Sequence, residues 1–236
     1  MLADLLSRFY RFRVETSGEQ YMLWRRLIWQ ILVEDFFNRY IKRSDTVMDL
    51  PSGFGEFINT VKCKVKIASD INPDCKKYLK PGIKFVCCPS VKIKMSKDSV
   101  DKIFCSNFFE HITHQDILKT IKEFRRILKN NGKVLVFQPN VRFLTKDFWR
   151  FFDHITPIDD RGLEDAFGLL GFRLVYKIEK FFPFTVKDRL PKSALLVRIY
   201  LRIPILWLFF GQQSFLIFEK TPAKLSVSSP TTGPVW

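Results

Sequence analysis

The chain has 236 residues, 47% of them hydrophobic and 25 of them phenylalanine, with a formal net charge of +15. That length carries one α/β domain with elaborations, or at most two small ones, and the apolar content excludes a disordered chain. The charge points to acidic partners (nucleic acid, an anionic membrane surface or a phosphorylated substrate) or to a merely solvated face.

Much of the charge is local. Eleven lysines lie between Lys62 and Lys102, and Arg8, Arg11, Arg13, Arg25 and Arg26 crowd the first helical region. The five cysteines (Cys63, Cys75, Cys87, Cys88 and Cys105) include no paired C-x-x-C spacing, and the histidines are His111, His114 and His154. No zinc site is expected from that set, and free thiols in a reducing compartment account for it best. Met1 to Arg13 is broken by Asp4, Arg8 and Arg11 and lacks the apolar core of a signal peptide. A cytosolic protein is expected, with peripheral membrane contact left open.

In chain order, Trp24, Leu27, Ile28, Ile31, Leu32 and Phe36 recur at helical spacing, giving a covering helix from about Gln20 to Tyr40. A short strand, Val47 to Leu50, precedes a helix at Glu56 to Lys62 and a second strand at Lys64 to Asp70. Asn72-Pro73 opens a turn or helix, with proline suited to a first helical position. Strands follow at Phe85 to Cys88 and Val100 to Ser106. His114 to Lys129 is an amphipathic helix, and Asn130-Asn131-Gly132 reads as its left-handed stop. A fifth strand covers Lys133 to Gln138. A helix at Gly162 to Leu170, ended by Gly171, leads to strands at Phe172 to Ile178 and Ser214 to Glu219. Between them, Leu195 to Phe210 carries Arg198 and Arg202 among apolar residues. It reads either as an interfacial segment on anionic lipid or as a helix packed over the sheet edge. Ile203 to Phe218, the most apolar stretch, contains Pro204, Gly211 and two glutamines and is short for a spanning helix.

This alternation predicts an α/β fold: a Rossmann-like, seven-stranded, mostly parallel sheet with helices on both faces. An N-terminal helical cover would span 1–43 and the α/β domain 44–220, with a cofactor half at 44–140 and a substrate-side half, the C-terminal elaboration, at 141–220. The Ser-, Pro- and Thr-rich tail, 221–236, is expected to be disordered.

The chemistry concentrates at Asp49-Leu50-Pro51-Ser52-Gly53-Phe54-Gly55, followed at the end of the next strand by Asp70. Gly53 and Gly55 let backbone approach a ligand, and Asp70 is placed to accept ribose hydroxyls. The third glycine of a dinucleotide fingerprint is replaced by Ile58, and no G-K-[ST] follows, so the pocket suits a nucleoside without a polyphosphate. Pro51 stands where a glycine is expected and removes an amide donor.

With Asp70-Ile71-Asn72-Pro73, Ser99-Val100-Asp101, Asn107-Phe108-Phe109-Glu110-His111 and Arg126-Ile127-Leu128-Lys129-Asn130-Asn131-Gly132, this loop resembles class I S-adenosylmethionine-dependent methyltransferases over roughly Thr46 to Asn140. Phe148-Trp149-Arg150-Phe151-Phe152-Asp153-His154 and Gly211-Gln212-Gln213-Ser214-Phe215 look like bacterial members found among cell-surface polysaccharide enzymes. The resemblance implies S-adenosylmethionine as cofactor. Asp49, Gly53 and Gly55, with Pro51 in the same loop, would hold its amino-acid end and Asp70 its ribose. Ile71 would pack on the adenine, and Asn107 with Phe108 would line the pocket. The position of the adenine-binding acid falls at or beside Cys88, and a thiol is a poor acceptor.

The implied reaction is O-methylation of a glycan or related small metabolite, with a lipid-linked acceptor as one form. His154 with Asp153 is the first candidate base and His111, beside Glu110, the second. Each could equally be structural, His154 satisfying a carbonyl and His111 capping the next helix. Trp149 and Phe152 would stack on a sugar or serve as core or lid. Two alternatives stand: a degenerate scaffold that acts through binding, favoured by Pro51 and Cys88, and a basic nucleic-acid-binding protein, which steep salt dependence would reveal.

Overall fold

The computed structural model describes residues 8, 12, 15, 16, 18–184 and 193–222. Strand β1 (Thr46–Asp49) lies at the centre of the cofactor half, flanked by β2 (Val65–Asp70) and β4 (Val100–Ser106); β3 (Lys84–Cys87) closes that edge. Beyond β4 come β5 (Leu128–Pro139), β7 (Gln213–Lys220) and β6 (Phe172–Phe182), giving the order β3-β2-β1-β4-β5-β7-β6. β7 runs antiparallel to both neighbours; the other pairings are parallel. The expected seven-stranded, mostly parallel sheet is therefore the observed one.

Alternation along the strands divides the core between the two faces. Phe104, Leu135 and Phe137 face one side, where α1 (Glu19–Asp35), α2 (Glu56–Thr60) and α6 (Ala194–Arg202) supply Trp24, Phe57 and Val197. Ile103, Cys105, Val134 and Val136 face the other, under α3 (His114–Ile127) and α5 (Asp160–Leu169). The phenylalanines fill these layers as rings: Phe57 stacks on Phe104 at 3.7 Å and Phe36 on Phe181 at 4.2 Å, while Phe167 stacks on Phe218 at 4.0 Å. Such pairs stabilise by about 0.5–1.5 kcal/mol each beyond their area.

Two local expectations need correction. The left-handed stop at Asn130-Asn131-Gly132 does not end α3. The helix ends at Ile127, where Asp98 and Ser99 amides donate to the Arg126 and Ile127 carbonyls at 3.1 and 2.8 Å. Those donors satisfy the open helix end, and buried Leu128 pairs at once with Val100. Asn131, at φ 60°, thus sits inside β5 where the register with β4 shifts. Nor does His111 cap α3; Thr113 does, accepting the Asp116 amide at 3.2 Å.

The segment Leu195 to Phe210 packs one side on the sheet, as the second of its two readings expects. It forms α6 and α7 (Pro204–Phe210), separated at Pro204. Val197, Tyr200 and Leu201 are buried, whereas Leu195, Ile203, Ile205, Leu208, Phe209 and Phe210 are exposed. Among the described residues no helix is long and apolar enough to cross a membrane. Most of the tail expected to be disordered, and most of the first eighteen residues of the N-terminal cover, lie outside the described residues.

Candidate active site

The parallel strands end together, and the candidate residues gather at that end. After β1 the chain enters the glycine loop through a cis Leu50–Pro51 peptide, with Gly53 and Gly55 at φ 47° and 71°. The Ser52 amide donates to Ser69 of β2 at 2.9 Å, so the loop folds back over the neighbouring strand. A side chain at Gly55 would bring its Cβ within 2.9 Å of Asn59 Nδ2 and Leu79 Cδ2, which is why that residue is glycine.

Asp70 fastens this loop. Its Oδ2 accepts the Gly53 amide at 3.0 Å and its Oδ1 the Asn72 amide at 2.9 Å. The Cys75 thiol and the Ile71 amide bond the same carboxyl, so Asp70 is the hub of this turn. Burial raises the Asp70 carboxyl above its ordinary value although these hydrogen bonds pull it down. Asp49 is more extreme: burial, then the neighbouring Glu56, push it well up, and Asp70 adds to the effect. Glu56 is bound by Arg25 of α1 at 2.7 Å, and the same guanidinium lies 5.2 Å from the Phe54 ring. The N-terminal helix is thereby docked on the glycine loop.

Two polar atoms in this region have no hydrogen-bond partner among the described residues. They are Ser52 Oγ in the loop and Asn107 Oδ1 after β4, both buried. Asn107 is held in a left-handed conformation (φ 46°) with its amide on Phe137 O at 2.9 Å. Orphaned acceptors and donors beside crowded buried acids fit a polar, cationic ligand, as the amino-acid end and nucleoside of S-adenosylmethionine are. Ile71, half-buried, adjoins the end of β2. The thiol beside it is that of Cys87, whose Sγ lies 3.6 Å from Ile71 O, and Cys87 is exposed. Cys88 instead turns into the core, 3.6 Å from Ser69 Oγ, because strand alternation puts its neighbour outward.

On the acceptor side the sequence candidates converge. His111 and His154 have ring centroids 5.0 Å apart. The Ile155 and Thr156 amides donate to Glu110 O at 2.8 and 3.1 Å, stitching the His154 loop to the turn after β4. Asp153, adjacent to His154 in sequence, lies on the other histidine: its carbonyl is 2.9 Å and its Oδ2 3.3 Å from His111 Nδ1. Buried Glu110, paired with His111 in the second sequence candidate, is held by Gln138 Nε2 at 2.6 Å. Phe151 stacks on His154 at 4.9 Å, an aromatic contact signalled by the Phe-rich loop. Trp149 and Phe152 are not core: they are 60% and 95% exposed. Phe108 is half-buried and packs 5.7 Å from Phe109.

Residues 48–136 match the family model described as a methyltransferase domain. The fold as a whole aligns with that of an S-adenosylmethionine-dependent methyltransferase from Archaeoglobus fulgidus at a TM-score of 0.63 and 19% identity, covering 90% of this chain and 99% of that one. The fold is that of the class I methyltransferases. A Thermotoga maritima S-adenosylmethionine-dependent methyltransferase, described as a possible histamine N-methyltransferase, is as similar, with a TM-score of 0.63, 16% identity and 90% and 98% coverage. In sequence, an uncharacterized protein of Methanocaldococcus jannaschii is 30% identical over 154 residues; the alignment spans 64% of this chain and 64% of that relative.

The raised Asp49 carboxyl has a consequence for stability. The folded chain binds that proton more tightly than the unfolded chain, so its contribution is present below the ordinary value near 3.8 and is lost as pH rises through the raised value. Thermal unfolding followed upward in pH from the ordinary carboxylate range should therefore show this group lowering the melting temperature as pH rises. Asp49→Asn should flatten that slope and gain most at the alkaline end; a slope equal to that of the unaltered chain would contradict the assignment.

Proposed function

We propose that this protein is an S-adenosylmethionine-dependent methyltransferase acting on an oxygen of a glycan or related small metabolite. The observation that carries the reading is the buried acid set Asp49, Glu56 and Asp70 around a glycine loop, with Ser52 Oγ and Asn107 Oδ1 left for a ligand. When bound, S-adenosylmethionine supplies a methyl group made electrophilic by its sulfonium. Asp49 and the Gly53–Gly55 loop hold the amino-acid end, Asp70 the ribose, and Ile71 with Phe108 the flanks of the base. The acceptor hydroxyl loses its proton at the Glu110–His111–Asp153–His154 cluster, a step worth about 10²–10⁴ in rate.

Apolar surface at the sheet edge supports a lipid-linked acceptor. A groove of about 730 Å³ lies between the end of β6 and α7, lined by Phe143, Ile178, Ile205 and Trp207. Beside it, exposed Leu208, Phe209 and Phe210 present an apolar face on a chain of net charge +15, the pairing that binds anionic bilayers. The competing reading, a fold retained for binding, is favoured by the engagement of Asp70 with Gly53 and Asn72.

Calorimetric titration with S-adenosylmethionine and with its demethylated product should show one site. No binding at millimolar ligand would sink the enzyme reading. Pro51→Gly should tighten binding by up to about tenfold, the weight of one regained amide hydrogen bond. His111→Ala and His154→Ala should lower methyl transfer by about 10²-fold or more while leaving cofactor affinity unchanged. Unchanged turnover in both would remove the cluster from the reaction. Separately, the chain should co-sediment with vesicles containing phosphatidylglycerol, and Phe209→Asp with Phe210→Asp should abolish this. Equal binding to neutral vesicles, or none by the unaltered chain, would overturn the membrane contact.

A further inference from the structure

We propose that Glu110, His111 and His154 form a binding site for one divalent transition-metal cation of the zinc or iron(II) class. The inference rests on the reading of this cluster as the acceptor end and specifies how the cluster acts there. One ligand atom from each residue lies within 4.8 Å of the other two, and two of the three residues are buried. That the sequence shows so few histidines, and no cysteine pair, does not weigh against the site: two of the three histidines are in it.

Hydrogen bonding fixes which atoms face inward. His111 Nδ1 lies 2.9 Å from the Asp153 carbonyl, and a carbonyl can only accept, so Nδ1 carries the proton. Nε2 then faces Glu110, whose Oε1 lies 3.6 Å away. The other Glu110 oxygen accepts Gln138 Nε2 at 2.6 Å. Gln138 cannot be turned round, because its Oε1 receives the Phe108 and Phe109 amides at 3.3 and 3.4 Å. His111 Nε2 and Glu110 Oε1 therefore face each other at a separation longer than a hydrogen bond, with room between them for an ion.

The spacing suits a cation. Bonds of about 2.0–2.2 Å to two atoms 3.6 Å apart subtend an angle of about 110–130°, close to tetrahedral. The third ligand, His154, is held between Phe148 at 4.5 Å and Phe151 at 4.9 Å, apolar walls that lower the local dielectric. Each first ligand also has an outer support of the kind metal sites use: a backbone carbonyl behind His111 and a carboxamide behind Glu110. Two imidazoles and one carboxylate are the donor set of open zinc and iron(II) sites, which keep a position for a substrate oxygen. His111 is 27% exposed at its side chain, so the site opens on that side.

The test is titration of the full, chelator-stripped chain with cobalt(II), followed by calorimetry and by visible ligand-field absorption. One equivalent should bind, with affinity lowered at least tenfold in His111→Asn and in His154→Ala. Glu110→Gln should weaken it likewise, and circular dichroism on each variant separates lost ligation from lost folding. Because His111 is only partly buried, His111→Asn keeps the test decisive if the two buried positions do not tolerate change. Absence of stoichiometric binding by the unaltered chain would overturn the site. So would unchanged affinity in a folded His111→Asn, or thiolate-to-cobalt charge-transfer bands, which would put the ion on cysteine. Titrating the same metal-free protein with S-adenosylmethionine reads the cofactor pocket independently, so failure of one reading leaves the other measurable.

Discussion

Negative charge buried at the end of two adjacent strands is the constraint on which the rest of this molecule turns. Asp49 and Asp70 close β1 and β2, and Glu56 opens the helix between them. Asp70 uses part of its charge to pin the loop through Gly53 and Asn72, and Arg25 neutralises Glu56 from α1. Asp49 keeps the least compensation, with the Ile58 amide opposing burial and two like charges. A carboxylate in that position is costly unless a cation arrives, so the pocket is poised for a positively charged ligand.

The acceptor end depends on the same sheet. β4 ends at Ser106, and within five residues the chain supplies Asn107 to the cofactor side and Glu110 and His111 to the other. The glycine-loop side and the Glu110–His111 side are thus separated by one turn anchored on Gln138 of β5. β5 is in turn held between β4 and the reversed strand β7, so the C-terminal elaboration stiffens the floor of the site. Gly211, which precedes β7, illustrates how close that packing is: a Cβ there would lie 2.6 Å from backbone atoms of Lys180 and Trp207.

The fold was largely legible in the sequence because its strands are short, apolar and punctuated by Gly, Asn and Pro at the sheet ends. The turn from Asp49 to Gly55 could be read because the left-handed backbone at Gly53 and Gly55 requires glycine. What could not be read was tertiary. Nothing local distinguishes Cys87 from Cys88, since strand register alone decides which thiol faces inward. The Asn130-Asn131-Gly132 stop was outcompeted by donors from Asp98 and Ser99, residues about thirty positions upstream. Asp153 was paired with its sequence neighbour, yet it supports His111 across a loop closure of 42 residues. Glu110 was legible beside His111, but its burial against Gln138 was not.

The central claim, that buried carboxylate charge at the glycine loop awaits a cationic cofactor, is tested most directly by proton linkage. Binding of S-adenosylmethionine, measured calorimetrically in buffers of different ionisation enthalpy, should release protons as the ligand's ammonium draws Asp49 back toward its ionised form. The release should diminish in Asp49→Asn. Binding without proton exchange, or with the same exchange in Asp49→Asn, would contradict the account.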